Sequence, residues 1–215
     1  ALNTIRSYVE KFDSKFLILH QNASAVGSLD LGFETDVKIK QELIKKTKTI
    51  YNLGCDTLEV DQGTFVIYQG SHGDKGASSA DLIFPSACYL EEDGIFVNME
   101  GRMQYARKAI QPPGKAKENW KILRAISEML GCVPNWLDLN GLRNALFDEF
   151  PIISKPDEII EVPWKAVKKQ KKLDSKTSLS GYVKNYYLSN SICRASKTMG
   201  SLARARNSLN LKKAS

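Results

Sequence analysis

The protein is a chain of 215 residues with 42% hydrophobic residues and a formal net charge of +7. This length and apolar content suffice for one sizeable domain with a hydrophobic core. The chain has no apolar run of about 18 residues, so we predict no membrane span. The N-terminus also lacks the basic and then apolar layout of a secretory signal.

The positive charge is concentrated in residues 165–176 and 194–213, outside the most apolar part of the chain. Neither zinc-finger spacing nor an array of arginines and aromatic residues accompanies it, so we expect no nucleic-acid binding. Basic segments of this kind suit a solvated tail or an acidic partner protein. The charge pattern therefore favours a protein partner over a nucleic acid.

The four cysteines are far apart in the sequence, at Cys55, Cys88, Cys132 and Cys193. None forms a CxxC pair, and their separations fit neither a zinc site nor an iron–sulfur ligand set. We therefore expect four reduced and mostly buried thiols, with no metal or cluster bound by this chain.

The segment TIYNLG at 49–54 looks like a buried strand that ends at a glycine, and two short apolar runs, FVIY at 65–68 and LIF at 82–84, indicate further strands. Continuous apolarity over so few residues is typical of parallel strands that are buried on both faces. An acidic turn at 91–94 precedes a further strand at 95–98 and a second turn at 99–102. The sequence thus predicts an α/β fold.

Helical patterns flank these strands. Residues 1–12 carry a helical apolar stripe, residues 16–19 form either a short strand or the start of a second helix, and residues 38–48 form a lysine-rich surface helix. After the break at 112–114, a helix with an apolar face reaches Leu130, and Gly131 follows as its C-cap. Asp138 or Asn140 caps another helix that runs through Phe147, and Pro151 stops it.

The composition changes at residue 152, where hydrophobicity falls and a lysine block occupies 168–172. Such a stretch is hard to bury and is typical of an extension that lies on a partner. Residues 192–211 are either a helix on another subunit or a partly ordered tail. We therefore divide the chain into an α/β region, 1–151, and a basic C-terminal extension, 152–215.

The glycine-rich segment from Gly70 to Gly76 is the strongest candidate for a ligand-binding loop. Its backbone amides could approach an anion, or its glycines could simply permit a connection with positive φ angles. It contains His72, Asp74 and Lys75, but no nucleophile is paired with them, so we interpret it as a structural loop. Similarly, we interpret the Cys55-Asp56 strand end as part of the layer.

The turn at 98–104 is the other candidate. Glu100 and Arg102 could pair locally or tie the turn to a neighbouring layer, and Gly101 between them allows a sharp reversal. No dinucleotide fingerprint or phosphate-binding loop is present. We therefore predict no catalytic, cofactor-binding or metal-binding residues in this chain.

Several motifs, in this order and spacing, resemble those of the molybdopterin oxidoreductase superfamily, and within it the 75 kDa-type subunits of respiratory complex I. They are SLDLGF at 28–33, IYQG at 67–70, HGD at 72–74, ADLIFP at 80–85, NMEGR at 98–102, PPG at 112–114, WKI at 120–122 and SICRASKTM at 191–199. The resemblance covers nearly the whole chain. It implies the C-terminal part of a multi-layer α/β domain, followed by a basic, partly irregular extension.

The resemblance also implies a function. We expect a non-catalytic structural part of the peripheral arm of NADH:ubiquinone oxidoreductase, on the matrix side of the mitochondrial inner membrane. It would complete a subunit whose iron–sulfur half is missing here and is either a separate polypeptide or another part of one chain. Iron–sulfur clusters and FMN are expected on partner chains and no cofactor on this one. The alternative is the C-terminal piece of a true molybdopterin-dependent, formate-dehydrogenase-like oxidoreductase.

Overall fold

The computed structural model describes residues 9, 11–12, 17–20, 22–33, 37–160 and 186–214, without the side chains of residues 37–41, 186 and 209–214. Most of the helix predicted at 1–12, and the lysine block at 168–172, lie outside these ranges. Residues 17–20 form neither of the two structures predicted for 16–19, since they adopt no regular secondary structure. None of the described helices is both long and apolar enough to cross a membrane.

A parallel sheet forms the centre of the fold, as predicted. Its strands are β1 (Thr49–Leu53), β2 (Phe65–Gly70) and β3 (Leu82–Pro85), and within the described ranges they lie side by side in chain order. The central strand β2 buries Val66 and Tyr68. The prediction that the strand at 82–84 is buried on both faces is wrong, because the edge strand β3 leaves Leu82 and Ile83 exposed.

The segment between β2 and β3 contains a short helix, α3 (Lys75–Ser78), where the sequence predicted only a loop. The Asp74 side chain starts this helix by accepting a hydrogen bond of 2.8 Å from the Lys75 amide. A capping aspartate of this kind satisfies an amide that the first helical turn leaves without a partner. The hydrogen bond from this cap therefore outweighs the low helix propensity of Gly76.

An antiparallel hairpin follows, formed by β4 (Gly94–Val97) and β5 (Met103–Ala106). The sequence predicted β4 and the turn but not β5. In the turn, the Asn98 side chain accepts hydrogen bonds from the amides of Glu100 and Arg102, and Gly101 has a φ of 89°. The Arg102 guanidinium donates to the Asp157 carbonyl, so it ties the turn to a neighbouring segment.

The hydrophobic core lies beneath this hairpin. Val97, Met103 and Ile153 are buried there. Helix α1 (Ala25–Asp30), which the sequence did not predict, packs on the same hairpin, and the Ser24 hydroxyl accepts a 3.0 Å hydrogen bond from the Val97 amide. The partly buried residues packed against the core are Val26, Leu31, Ile95, Leu146, Phe147, Phe150 and Ile152. The division of the chain at residue 151 stays a prediction.

The remaining helices agree with the sequence patterns. They are α2 (Val37–Lys46), α4 (Asn119–Met129), α5 (Leu139–Glu149), α6 (Ser191–Ala195) and α7 (Lys197–Ala214), with single 3₁₀ turns at Pro151–Ile153 and Tyr186–Leu188. Gly131 follows α4 with a φ of 78°, as a C-terminal glycine should. Of the two predicted caps for α5, Asp138 is the one that accepts the Gly141 amide.

All four cysteines are free thiols, but the prediction that they are mostly buried is wrong. Cys132 is exposed, and the other three are partly exposed. Cys132 lies just beyond Gly131 in the loop after α4, where the chain turns outward. The apolar character of a thiol therefore does not place these cysteines in the core.

Candidate functional site at the carboxyl ends of the sheet

The carboxyl ends of β1 and β2 bring two aspartates together. Asp56 follows β1, and Asp74 lies in the loop after β2, so both side chains reach the same edge of the parallel sheet. The side chain of Asp56 is only 6% exposed, and one of its oxygens accepts a 3.2 Å hydrogen bond from the Gly76 amide. Open α/β sheets usually bind ligands at this edge.

The guanidinium of Arg194 occupies the space between the two carboxylates. Its Nη2 donates to Oδ2 of Asp56, its Nε donates to Oδ2 of Asp74, and its Nη1 donates to the Leu188 carbonyl at 3.3 Å. We name Asp56, Asp74 and Arg194 together the strand-end latch. Arg194 lies in α6, so the latch connects the C-terminal helices to the sheet.

Charge and burial at the latch shift the pKa values of Asp74 and of the neighbouring Tyr68. The hydrogen bond from Arg194 and the amide of Lys75 lower the pKa of Asp74 below its ordinary value. A lowered pKa means that this carboxylate stabilises the fold at neutral pH, and that the contribution is lost as the pH falls through the lowered value. Burial, and then the charges of Asp56 and Asp74, raise the pKa of Tyr68.

The ring of Tyr68 fills the space behind the latch. Tyr68 is buried, and its hydroxyl interacts with Asp56. A methyl group added at Gly76 would lie 2.6 Å from Cε2 of Tyr68 and 2.7 Å from the Cys55 carbonyl oxygen. This close packing gives a physical reason for the glycine at position 76 that requires no ligand.

Replacing Gly76 with alanine is expected to destabilise the protein by about 1–3 kcal/mol, because the added methyl overpacks the Tyr68 ring. Gly73→Ala in the same loop is the matched control, since nothing lies within 4 Å of its added methyl. Urea unfolding measured by pulse proteolysis should separate the two variants. Equal stabilities would contradict the packing of Gly76 against Tyr68.

Beside the latch lies a cleft of about 410 Å³. In it, the Ser71 hydroxyl and Nδ1 of the adjacent His72 are 2.9 Å apart, and the Glu91 carboxylate accepts a hydrogen bond from the Cys88 amide. The lining residues are Ser71, His72, Pro85, Ser86, Cys88, Glu91, Pro113, Lys115 and Ala116.

Among the residues that the structure describes, no group of three or more His, Cys, Asp or Glu side chains could hold a metal ion.

A second polar network joins the sheet to α4 and was not predicted from the sequence. Gln69 is fully buried, accepts a hydrogen bond from the Tyr51 hydroxyl and donates to Oδ1 of Asn119 at 2.6 Å. Asn119 in turn donates from its side chain and its backbone amide to Glu92. Burial raises the pKa of Glu92, although these hydrogen bonds partly offset the effect.

An apolar surface lies at the end of α4 and in the segment after it. Met129 is 88% exposed and Leu137 is 78% exposed, and Leu130 and Val133 between them are also exposed. We name these four residues the α4 surface. Four exposed large apolar side chains within nine residues are typical of a surface that another protein covers.

Two family models match the sequence. The model described as Molybdopterin oxidoreductase matches residues 1–129, and a model of the C-terminal region of the G subunit of NADH-ubiquinone oxidoreductase matches residues 159–201. The second match agrees with the resemblance to complex I subunits and not with a formate-dehydrogenase-like enzyme. It also contains Arg194, whereas the first match contains Asp56 and Asp74.

Individual relatives agree with these matches. The G subunit of the NADH-quinone oxidoreductase of Rickettsia conorii is 40% identical over 193 residues, which cover 89% of this chain and 28% of that protein. The mitochondrial NADH-ubiquinone oxidoreductase 78 kDa subunit of Candida albicans is 39% identical over 194 residues, or 85% of this chain and 26% of that protein. The chain thus spans less than a third of the length of these relatives, and it belongs to the molybdopterin oxidoreductase family.

Proposed function

We propose that this chain is a non-catalytic structural part of the peripheral arm of respiratory complex I, NADH:ubiquinone oxidoreductase. The observation that carries the proposal is the occupation of the strand ends by the chain itself. Arg194 and Tyr68 fill the edge of the sheet at which α/β proteins usually bind a ligand. The chain would support electron transfer from NADH to ubiquinone by completing the fold of a subunit, without taking part in the chemistry.

The family name raises the question of a pterin cofactor, which carries phosphate and is therefore anionic. The strand ends do not fit such a group. Asp56 and Asp74 present two negative charges there, and Arg194 offsets one of them, so these three side chains keep a net negative charge that disfavours an anion. The space that Gly76 leaves open is filled by the Tyr68 ring. We therefore propose that this chain binds no cofactor, and that the iron–sulfur clusters and FMN of the complex lie on partner chains.

The proposed partners are the iron–sulfur half of the same subunit, on a separate polypeptide or on the same one, and other subunits of the peripheral arm. Two features support such partners. The α4 surface exposes large apolar side chains, and the edge strand β3 exposes Leu82 and Ile83. An exposed strand edge with apolar side chains is a ready site for pairing with another chain, so proteins commonly cover it. The proposed location is the matrix side of the mitochondrial inner membrane.

A single substitution in the α4 surface tests this assembly. Met129→Asp is expected to reduce co-isolation of the chain with its partners about tenfold. The variant loses the transfer free energy of the methionine side chain, and it places a charged carboxylate in the interface. Met99→Asp is the matched control, since Met99 is also exposed but lies in the β4–β5 turn. If both variants co-isolate as the unmodified chain does, the α4 surface is not an interface.

The experiment that tests the function itself is mass spectrometry of the native assembly that contains this chain, with metal content measured on the same sample. We expect co-isolation with flavin and iron–sulfur subunits, together with iron and without molybdenum or tungsten. Molybdenum or tungsten with a pterin would instead indicate a molybdopterin enzyme. A chain that is isolated alone would contradict both functions.

A further inference from the structure

We propose that the strand ends form a socket selective for a guanidinium group, and that the C-terminal helices dock on the sheet by inserting Arg194 into it. This inference concerns contacts within the chain, so it does not rest on the proposed role in complex I. The socket consists of the two carboxylates of the strand-end latch and the Tyr68 ring behind them. Its ligand is a planar cation that can donate hydrogen bonds in two directions.

The geometry of the latch matches a guanidinium. Two different nitrogens of Arg194, Nε and Nη2, each bind a different aspartate, while Nη1 binds the Leu188 carbonyl. A guanidinium presents its N–H groups in a fixed fork, whereas a lysine ammonium is a single point of charge. A lysine at position 194 could therefore approach one carboxylate but could not bridge both with the same geometry.

Hydrogen bonds that do not involve Arg194 position both sides of the contact. On the sheet side, the Gly76 and Lys75 amides fix the carboxylates of Asp56 and Asp74. On the helical side, the Asn190 side chain caps α6 by accepting a 2.8 Å hydrogen bond from the Cys193 amide. Preorganised groups lose little conformational entropy when they bind, so a single arginine can make a specific docking contact.

The two sides also lie in different matched regions. Asp56 and Asp74 belong to the region that matches the molybdopterin oxidoreductase model, and Arg194 belongs to the region that matches the C-terminal complex I model. The latch is therefore a contact through which a C-terminal segment of the complex I type attaches to the α/β fold. Arg194 thus occupies the edge of the sheet at which open α/β proteins usually bind a ligand.

The test uses hydrogen exchange measured by mass spectrometry on the full chain in its native assembly. Arg194→Ala is expected to increase the opening equilibrium of residues 197–208 about tenfold, because charge-assisted hydrogen bonds of the latch are lost. Arg194→Lys should behave like the alanine variant. Arg204→Ala is the matched control, since Arg204 is an exposed arginine on α7, the helix whose exchange is measured, and it should leave exchange unchanged.

Chemical rescue distinguishes a guanidinium socket from a general loss of structure. Millimolar methylguanidinium should slow exchange of residues 197–208 again in the Arg194→Ala variant, whereas methylammonium at the same concentration should not. Rescue by both cations alike, rescue by neither, or full protection in Arg194→Lys would overturn the proposal.

A further test removes the two carboxylates. In a chain carrying Asp56→Asn and Asp74→Asn, adding Arg194→Ala should cause no further increase in exchange. A full additional increase would also overturn the proposal.

Discussion

Replacing Met103 with alanine is expected to lower the free energy of unfolding by about 2–5 kcal/mol, since a buried methionine is removed and a cavity remains. Met103 is 1% exposed and contacts Val97 and Ile153 in the core beneath the β4–β5 hairpin. The same hairpin also packs against α1, so its loosening should affect both elements. The midpoint of urea unfolding, followed by pulse proteolysis, measures the effect.

Met99→Ala is the matched control for this prediction. Met99 lies four residues earlier in the same hairpin but is largely exposed, so its truncation should change stability by no more than about 0.5 kcal/mol. A Met103→Ala variant as stable as Met99→Ala would show that the hairpin does not cover a core. In that case the packing of Ile153 against the hairpin would also be in question.

The second large effect is expected at Gln69. Gln69→Leu keeps the approximate volume but removes the partner of the Tyr51 hydroxyl and of the Asn119 side chain. Each buried polar group left without a hydrogen bond costs about 1–3 kcal/mol. Unfolding by urea should reveal the loss. Tyr51 and Asn119 are both partly exposed, so water can compensate in part at each end, and the loss should lie toward the lower end of this range.

Two variants complete this experiment. Gln104→Leu changes an exposed glutamine on β5 and should leave stability within about 0.5 kcal/mol of the unmodified chain. Combining Gln69→Leu with Tyr51→Phe should cost less than the sum of the single losses, because the double variant leaves no hydroxyl unpaired. Strict additivity would mean that the two side chains do not interact in the folded protein.

The elements that depend on local chemistry could be predicted from the sequence. The three parallel strands could be recognised from short, largely apolar segments, and Gly131 indicated the end of α4. The exposed side chains of β3 could not be foreseen in the same way. An apolar run indicates a preference for burial, but the sequence does not reveal that β3 is the edge strand of the sheet described here.

The elements that depend on pairing with another segment were missed. Strand β5 has the mixed sequence MQYA, and it is a strand because it pairs with β4. The strand-end latch is the extreme case, since Arg194 is 138 positions from Asp56 and 120 positions from Asp74. The local patterns place Asp56 at a strand end and Asp74 in a loop, and they predict a helix or a tail for 192–211. They give no sign that the three segments meet. No periodicity along the chain relates an arginine to carboxylates so far away.

The order in which the strands pair has a consequence for biosynthesis. Neighbouring strands in both sheets are also neighbours along the chain, so each pairing closes a short loop and can form as soon as its residues have left the ribosome. The arginine of the latch is made 138 residues after Asp56 and 120 residues after Asp74. Until then, the finished sheet presents two uncompensated carboxylates to solvent. Docking of the C-terminal helices thus follows the formation of the sheet and requires a chain whose synthesis has passed Arg194.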